Sequence, residues 1–438
     1  MKPSNSITNS GGQLSRKVKL IGRQLKKQVD SIKKADIIIG IPSYNNSDTI
    51  HHVVNAISAG IIKYFPDYTT VVVNSDGGST DGTPRIVMDA AIDDLETIMV
   101  EHPIYTIHKI STPYRGVPGK GSAFRTIFKI ANMLEAKAIA VVDSDLRSIT
   151  PEWIELLVAP VLHKSFDFVA PRYQRHKYDG TITNSVVYPV TNALYGSGVR
   201  QPIGGEFGFS GALAAHFLTV GEFDTDIARF GIDIWMTTTA LATGCKICQV
   251  FLGAKIHDPK DPGSDLSSML VQVVGSLFYL MEKYEHIWWD RTETKRVPEF
   301  GFRFQVGVEP VNVNLERLVQ GFRQGVDSLG PVWKTILDPR SLDQLSEMSR
   351  SDISQFSFPA ELWVKVIYDF ALGFHHRVMH PDHLVRALTP LYLGRTAGFI
   401  NQIQDSDPDE VERVIEELCV EFVRQKPYLM SRWRRPRP

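Results

Sequence analysis

From Ala35 onward, short apolar runs alternate with stretches of helical spacing, and this alternation sets the expected architecture. "DIIIGIPSYN" reads as a buried strand that ends in polar residues, and "DTIHHVVNAISAGIIKYF" follows with apolar positions at helical spacing. "TTVVVNSDGGSTDGTPRIVMDAA" repeats strand, loop and helix, with Thr83 expected as N-cap and Pro84 at the first helical position. "GKGSAFRTIFKIANMLEA" reads as a further helix and "AIAVVDSDL" as a third apolar strand, after which Thr150 and Pro151 repeat the helix start. Such alternation predicts an α/β fold: a parallel sheet covered on both faces, with its ligand site at the carboxyl ends of the strands.

Beyond about residue 262 the strand signals fade. "SSMLVQVVGSLFYLMEKYEHIWW", "LWVKVIYDFALGFHH", "PDHLVRALTPLYLGRTAGFINQI" and "DPDEVERVIEELCVEFVRQ" all read as helices, and "RWRRPRP" as a solvated basic end. At the other end, residues 1–13 are polar and expected to be disordered. Leu14, Val18, Ile21, Leu25, Val29 and Ile32 then form one apolar stripe on a basic helix. That helix packs on the body or on a partner; Gly22 and the lack of aromatic residues speak against a membrane-surface role. The expected division is 1–34, an α/β catalytic domain over 35–262, and a helical region over 263–438.

Composition narrows the picture. In 438 residues, 48 basic side chains balance 49 acidic ones, and 43% are hydrophobic, which gives no sign of a disordered chain or of a polyanionic partner such as nucleic acid. Three cysteines are too few for a disulfide scaffold, and no apolar run reaches the roughly 20 residues of a membrane span. No apolar signal-peptide core is evident, so a cytoplasmic protein is expected.

The chemistry gathers in loops after strands. Pro42, Ser43, Tyr44 and Asn45 lack the glycine pattern of a P-loop. Asp76 in "NSDGGSTDGT" either accepts hydrogen bonds from a base or ribose or closes an Asx turn. "YRGVPGKGSAFR" places Lys120 among glycines at a helix opening, suited to anionic oxygen or serving as a linker. In "AVVDSDLRSITPEW", Asp143 and Asp145 stand one residue apart after an apolar strand. Side chains at that spacing share a face, and two neighbouring carboxylates call for a cation such as Mg²⁺ or Mn²⁺, which in turn suits a diphosphate substrate. His257 in "FLGAKIHDPKDPG" ends a strand-like run and is a candidate further ligand. Cys245 and Cys248 have no second pair to make a zinc site.

"IPSYNN", "SDGGSTD", "PGKGSA", "VVDSDL", "DGTITNSVVYPVTNALYGSGVRQPIGGEFGFSG", "RFGIDIWMTTTA" and "AKIHDP", in this order, resemble GT-A-fold glycosyltransferases over about residues 36–260. More narrowly, they are similar to the retaining glucosyltransferases that make glucosyl-3-phosphoglycerate and glucosylglycerate (glycosyltransferase family 81-like). The resemblance implies a Rossmann-like, mostly parallel sheet with helices on both faces and a C-terminal helical annex. It implies that Pro42, Ser43, Tyr44, Asn46, Asp76, Gly77, Asp143 and Ser144 hold the nucleotide sugar, and that Lys120 contacts its diphosphate. Asp143, Asp145 and His257 would bind Mg²⁺ or Mn²⁺. Gly180, Thr181 and Thr183 would form the acceptor loop, and Asp233 would stand by sugar and acceptor; with Lys120 and Asp145 it completes the catalytic set.

Phosphoglycerate-using members carry "GRVT" where this chain has "GTIT", so Thr181 replaces an arginine. Threonine lacks arginine's bidentate grip on phosphate, although Arg172, Arg175, His176 or Lys177 stand near enough in sequence to compensate. The expected reaction moves glucose from an NDP-glucose (UDP-, ADP- or GDP-glucose) to D-glycerate, as in compatible-solute synthesis, within a homodimer. 3-Phosphoglycerate as acceptor, GDP-mannose as donor, and a non-catalytic nucleotide-sugar scaffold stay open as alternatives.

Overall fold

Ile37–Ser43 (β1) and Thr70–Asp76 (β2) are runs of mainly β-branched residues buried along almost their whole length, as strands covered on both faces must be. They pair in parallel, Ile37 opposite Thr70 through Ser43 opposite Asp76. The computed structural model describes residues 25–90, 107–114, 118–221, 223, 231–256, 267–303, 307 and 310–434. Among these, Ile107–Pro113 (β3), Ala138–Val141 (β4), Phe168–Gln174 (β5), Phe207–Ser210 (β6), Ile247–Ala254 (β7) and Glu299–Phe300 (β8) complete one sheet of order β3-β2-β1-β4-β6-β5-β7-β8.

The chain runs from β1 outward to β3 and then returns to β4 on the other side of β1. That reversal opens a crevice at the carboxyl ends of β1 and β4, where ligands bind in open α/β sheets. β6 is antiparallel to both β4 and β5. Its Gly208 lies so near the helix Pro151–Lys164 that an added Cβ would fall 1.9 Å from the Leu157 carbonyl oxygen. Gly208→Ala is therefore expected to lose about 3 kcal/mol through forced displacement of backbone, read as a fall in the denaturant midpoint.

Helices cover both faces. One apolar cluster joins Ile38, Phe128, Phe209 and Trp235 to Trp288, Trp363, Tyr392 and Trp433, so the C-terminal helices share a continuous core with the sheet. The other face buries Ile37, Ile39, Ile57 and Trp153. Residues 25–32 are helical, with Val29 buried and Lys26 and Lys27 exposed, which matches the packed reading for this part of the basic helix. The remainder of that stripe, and residues 1–13, lie outside the described residues. No helix among the described residues is long and apolar enough to cross a membrane. Cys245, Cys248 and Cys419 are free thiols, and Cys248 is buried in β7.

Three local expectations change. β3 was not foreseen. Thr83 is the first helical residue rather than the cap, because Gly82, at φ 89°, takes the capping position and the Thr83 hydroxyl instead donates to Asp81 at 2.6 Å. The helical region also returns a short strand, β8, to the sheet, pairing Gln249 with Glu299. Thr150 and Pro151 stand as expected, at the cap and first turn of their helix.

Candidate active site

A cleft of about 800 Å³ opens above the β1–β4 crevice. The end of β1 contributes Pro42 and Ser43, the loop after it Tyr44 and Asn46, and Gly77 approaches from the end of β2. Asp76 does not reach the cleft. Its carboxylate accepts from Gly78 N and Ser79 N at 2.8 Å each, from Ser79 Oγ at 2.6 Å and from Ser43 Oγ at 3.1 Å. It therefore shapes the turn that presents Gly77 rather than offering itself to a base. Tyr44 is 63% exposed, and an added Cβ on Gly77 would stand 3.0 Å from its ring. A bare glycine there leaves the aromatic face open.

The loop after β4 is pinned to the loop after β1. Ser144 Oγ donates to Asn46 Oδ1 at 2.8 Å, and Thr49 Oγ1 donates to the Ser144 carbonyl at 2.8 Å. This fixes the two flanking aspartates in different surroundings. Both line the cleft, but Asp143 is taken up by ion pairs with Lys120 and Lys255, whereas Asp145 has no hydrogen bond or ion pair to its carboxylate among the described residues.

At the cleft floor, side chains from four strand ends and two helix starts converge. Lys120 opens the helix Lys120–Met133 and lies 2.7 Å from Asp143 Oδ1 and 3.3 Å from each carboxylate oxygen of Asp233. Asp233 sits in the first turn of the helix Ile232–Ala242, where a carboxylate is favoured. Lys255, just past β7, donates to Asp143 Oδ2 at 3.1 Å, to Glu206 at 2.9 and 2.8 Å, and to the Gly204 carbonyl at 2.9 Å. Glu206 is fully buried and also accepts from the Tyr173 hydroxyl. Gly205, at φ 97°, passes so close that an added Cβ would lie 2.4 Å from Asp143 Oδ2 and 2.7 Å from Lys255 Nζ. Only glycine fits there.

Protonation follows from this crowding. Burial opposes the charge on Asp143, yet Lys120 and Lys255 outweigh it and hold the carboxyl well below its usual range. Burial likewise opposes the charges on Lys120 and Lys255, but the facing carboxylates keep both above the ordinary lysine value. Burial, with the Asp143 charge beside it, pushes Glu206 up to about 7, and burial raises Asp233.

The far end of the cleft is the loop Arg175–Thr183. Gly180, at φ 66°, Thr181 and Thr183 all line it. Arg175 Nη1 is tied to Asp179 Oδ2 at 3.1 Å. Of the other side chains able to replace the missing arginine, Arg172 pairs with Glu299 and Glu412, and Lys177 donates to the carbonyls of Ile403 and Ser406. His176 packs edge-on against Tyr178. Only Arg175 of the four lines the cleft.

The Thr181 hydroxyl, 2% exposed, points away to the Tyr392 hydroxyl at 2.5 Å, so a helix of the C-terminal region braces this loop. Tyr392→Phe leaves one buried partner unmade, costing about 1 kcal/mol. Equilibrium denaturation is expected to show that loss as a lowered midpoint.

His257 lies outside the described residues. Among those described, no three His, Cys, Asp or Glu side chains gather as a metal cluster. The donor set is nonetheless suited to Mg²⁺ or Mn²⁺, which bind protein through one or two carboxylates and leave positions for phosphate oxygens. Asp145 offers such a carboxylate toward the cleft. Sequence reading missed Lys255, Glu206 and Tyr173. Their signal was a glutamate and a lysine set directly against apolar strand residues in "GGEFGF" and "FLGAKI".

No curated protein matches the sequence. A crystal structure of glucosyl-3-phosphoglycerate synthase from Mycobacterium tuberculosis, in complex with Mn²⁺, UDP and glucosyl-3-phosphoglycerate, is similar at 23% identity and TM-score 0.43, covering 59% of this chain and 83% of that one. The same enzyme with Mn²⁺, UDP and phosphoglyceric acid aligns at 25% identity and TM-score 0.43, over 57% and 81%. With Mn²⁺, UDP-glucose and phosphoglyceric acid it aligns at 22% and TM-score 0.42, over 65% and 90%. Residues 38–195, which run from β1 past the loop Arg175–Thr183, match the model of glycosyl transferase family 2, and the mostly parallel sheet around them, with its helices and helical C-terminal region, has the GT-A form.

Proposed function

We propose that this cleft transfers glucose, with retention, from an NDP-glucose to D-glycerate with the aid of Mg²⁺ or Mn²⁺. One observation carries the reading. Among the described residues, each cation lining the cleft is already paired with a carboxylate: Lys120 with Asp143 and Asp233, Lys255 with Asp143 and Glu206, Arg175 with Asp179. A diphosphate therefore finds little uncommitted positive charge, while Asp145 stands as an uncommitted carboxylate. A divalent ion reconciles the two. Asp145, with Asp143 beside it, would hold that ion, and His257 is proposed as a further ligand on the resemblance alone. When bound, the ion supplies the charge that makes a nucleoside diphosphate a feasible leaving group.

The chain's own residues supply the rest. Tyr44, over Gly77, offers an aromatic face to the base, and Pro42, Ser43, Asn46 and Ser144 shape the wall beside it. Lys120, at a helix N-terminus, stabilises the departing diphosphate oxygens as it exchanges Asp143 for phosphate. Asp233, left beside the sugar, orients its hydroxyls or the acceptor's. The acceptor hydroxyl then enters on the face the diphosphate leaves, through an oxocarbenium-like transition state, its oxygen bonding to the anomeric carbon as the carbon–diphosphate bond breaks and its proton passing to the departing diphosphate oxygen.

The acceptor end favours D-glycerate over 3-phosphoglycerate. Thr181 faces Tyr392, and Arg175, the one guanidinium lining the cleft among the described residues, is engaged at Nη1 by Asp179, so a phosphate meets no wholly uncommitted fork there. Comparing kcat/KM for the two acceptors, with UDP-, ADP- and GDP-glucose as donors, tests this choice. The expected preference is at least about tenfold for glycerate, equivalent to about 1.4 kcal/mol; a preference for phosphoglycerate overturns it.

A further inference from the structure

Behind the acceptor loop lies a buried charge without a counter-charge. Arg395, on the helix Thr389–Ile403, is 3% exposed. Its Nη1 donates to the Phe358 carbonyl at 2.7 Å, and its Nε is buried with no hydrogen-bond partner. No carboxylate pairs with it among the described residues. The contrast with Arg200 is direct: at 7% exposure, it places Nε and Nη2 on Glu412 at 2.9 and 3.0 Å. Lys426, also buried and in no ion pair among the described residues, has Asp290 near and reaches two carbonyls, those of Trp288 and Arg291.

An unpaired buried ion costs several kcal/mol. Neutralisation does not relieve Arg395, since burial lowers its pKa only to about 10 and it stays charged at neutral pH. A void of about 10 Å³ adjoins it, room for one body of about water size. Thr181, Asn184, Ser185 and Thr396 form its polar wall, and Phe399 and Ile415 face them. Thr396 Oγ1, beside the Tyr392 hydroxyl, is buried without a well-formed hydrogen bond. A water here satisfies a donor but leaves the charge standing. An oxyanion such as phosphate is too large for the space.

We propose that this void binds one monovalent inorganic anion of chloride size, held by Arg395 Nε and the Thr396 hydroxyl. Two measurements on the full chain test it. In thermal melts at constant ionic strength, replacing potassium gluconate by potassium chloride should raise Tm saturably by about 2 °C. In crystals grown in bromide, an anomalous peak should lie within hydrogen-bond distance of Arg395 Nε. Arg395→Met should abolish both signals, and Thr396→Val should weaken the halide dependence several-fold. A Tm indifferent to chloride together with no bromide peak means that only water occupies the void, and the proposal fails. It fails equally if the same Tm rise persists in Thr396→Val and Arg395→Met, since that is a general salt effect. If Arg395→Met does not fold, Thr396→Val and the wild-type bromide peak decide.

Discussion

Asp145→Ala is expected to leave the protein folded and to lower transfer about a thousandfold. The two halves of that result have separate causes. The carboxylate has no partner among the described residues, so its removal breaks no contact, and Tm should stay within about 1 °C of the wild type. The same lack of a partner is why it is free to hold a divalent ion. Mn²⁺ titration followed by electron paramagnetic resonance should show weakened binding in the presence of UDP. Asp143→Ala should behave differently, because Asp143 is the shared counter-ion of Lys120 and Lys255. That variant should lose stability as well as activity. An Asp145→Ala protein with normal turnover contradicts the assignment of the metal to this loop.

Lys255→Met is expected to be the most destabilising change in the site. Glu206 is wholly buried and accepts from Lys255 at both carboxylate oxygens, with the Tyr173 hydroxyl as its other donor. Removing one member of a buried pair strands the other, at a cost of about 3–5 kcal/mol. The pH dependence has a definite sign. Glu206 has a folded pKa raised to about 7 by burial and by Asp143, so its protonated form is the one the fold prefers. That contribution is full below the ordinary glutamate value and is lost as pH rises through 7. Losing the lysine raises the folded pKa further, so the deficit of Lys255→Met should be largest above pH 7 and shrink toward pH 5. Adding Glu206→Gln should recover much of the loss at neutral pH. Denaturant midpoints across pH 5–8 check both statements, and a deficit that grows on acidification contradicts the pairing.

The parts of the fold that were legible in the sequence are those where burial is continuous. β1, β2 and β4 read directly from "IIIG", "TVVV" and "AIAV" because strands covered on both faces need apolar residues at every position. β3 escaped notice because it is an edge strand: His108, Lys109, Ser111 and Thr112 interrupt its apolar pattern. β6 is four residues long with a glycine inside, so neither its length nor its pattern announces a strand. The site shows the same division. Asp143 and Asp145 stood out by spacing, but their difference in role did not, since it depends on Lys120 and Lys255 arriving from a helix start and a strand end far apart in the chain. Asp76 looked available and is in fact consumed by its own turn. Thr181 drew attention as a missing arginine; its partner Tyr392 came from a region in which the sequence carried no recognisable chemistry.

The central claim is that a divalent ion and this paired-charge floor together release a nucleoside diphosphate to a small hydroxy acid. Its most direct measurement follows nucleoside diphosphate release and new glycoside by NMR, with UDP-, ADP- or GDP-glucose, D-glycerate and Mg²⁺, each omitted in turn. The account predicts that one donor gives equal amounts of the two products, that the glycoside keeps the donor's anomeric configuration, and that removing either Mg²⁺ or glycerate stops both. Release of diphosphate that continues unchanged with EDTA, or no glycoside from any of the donors with either glycerate or 3-phosphoglycerate, would contradict it.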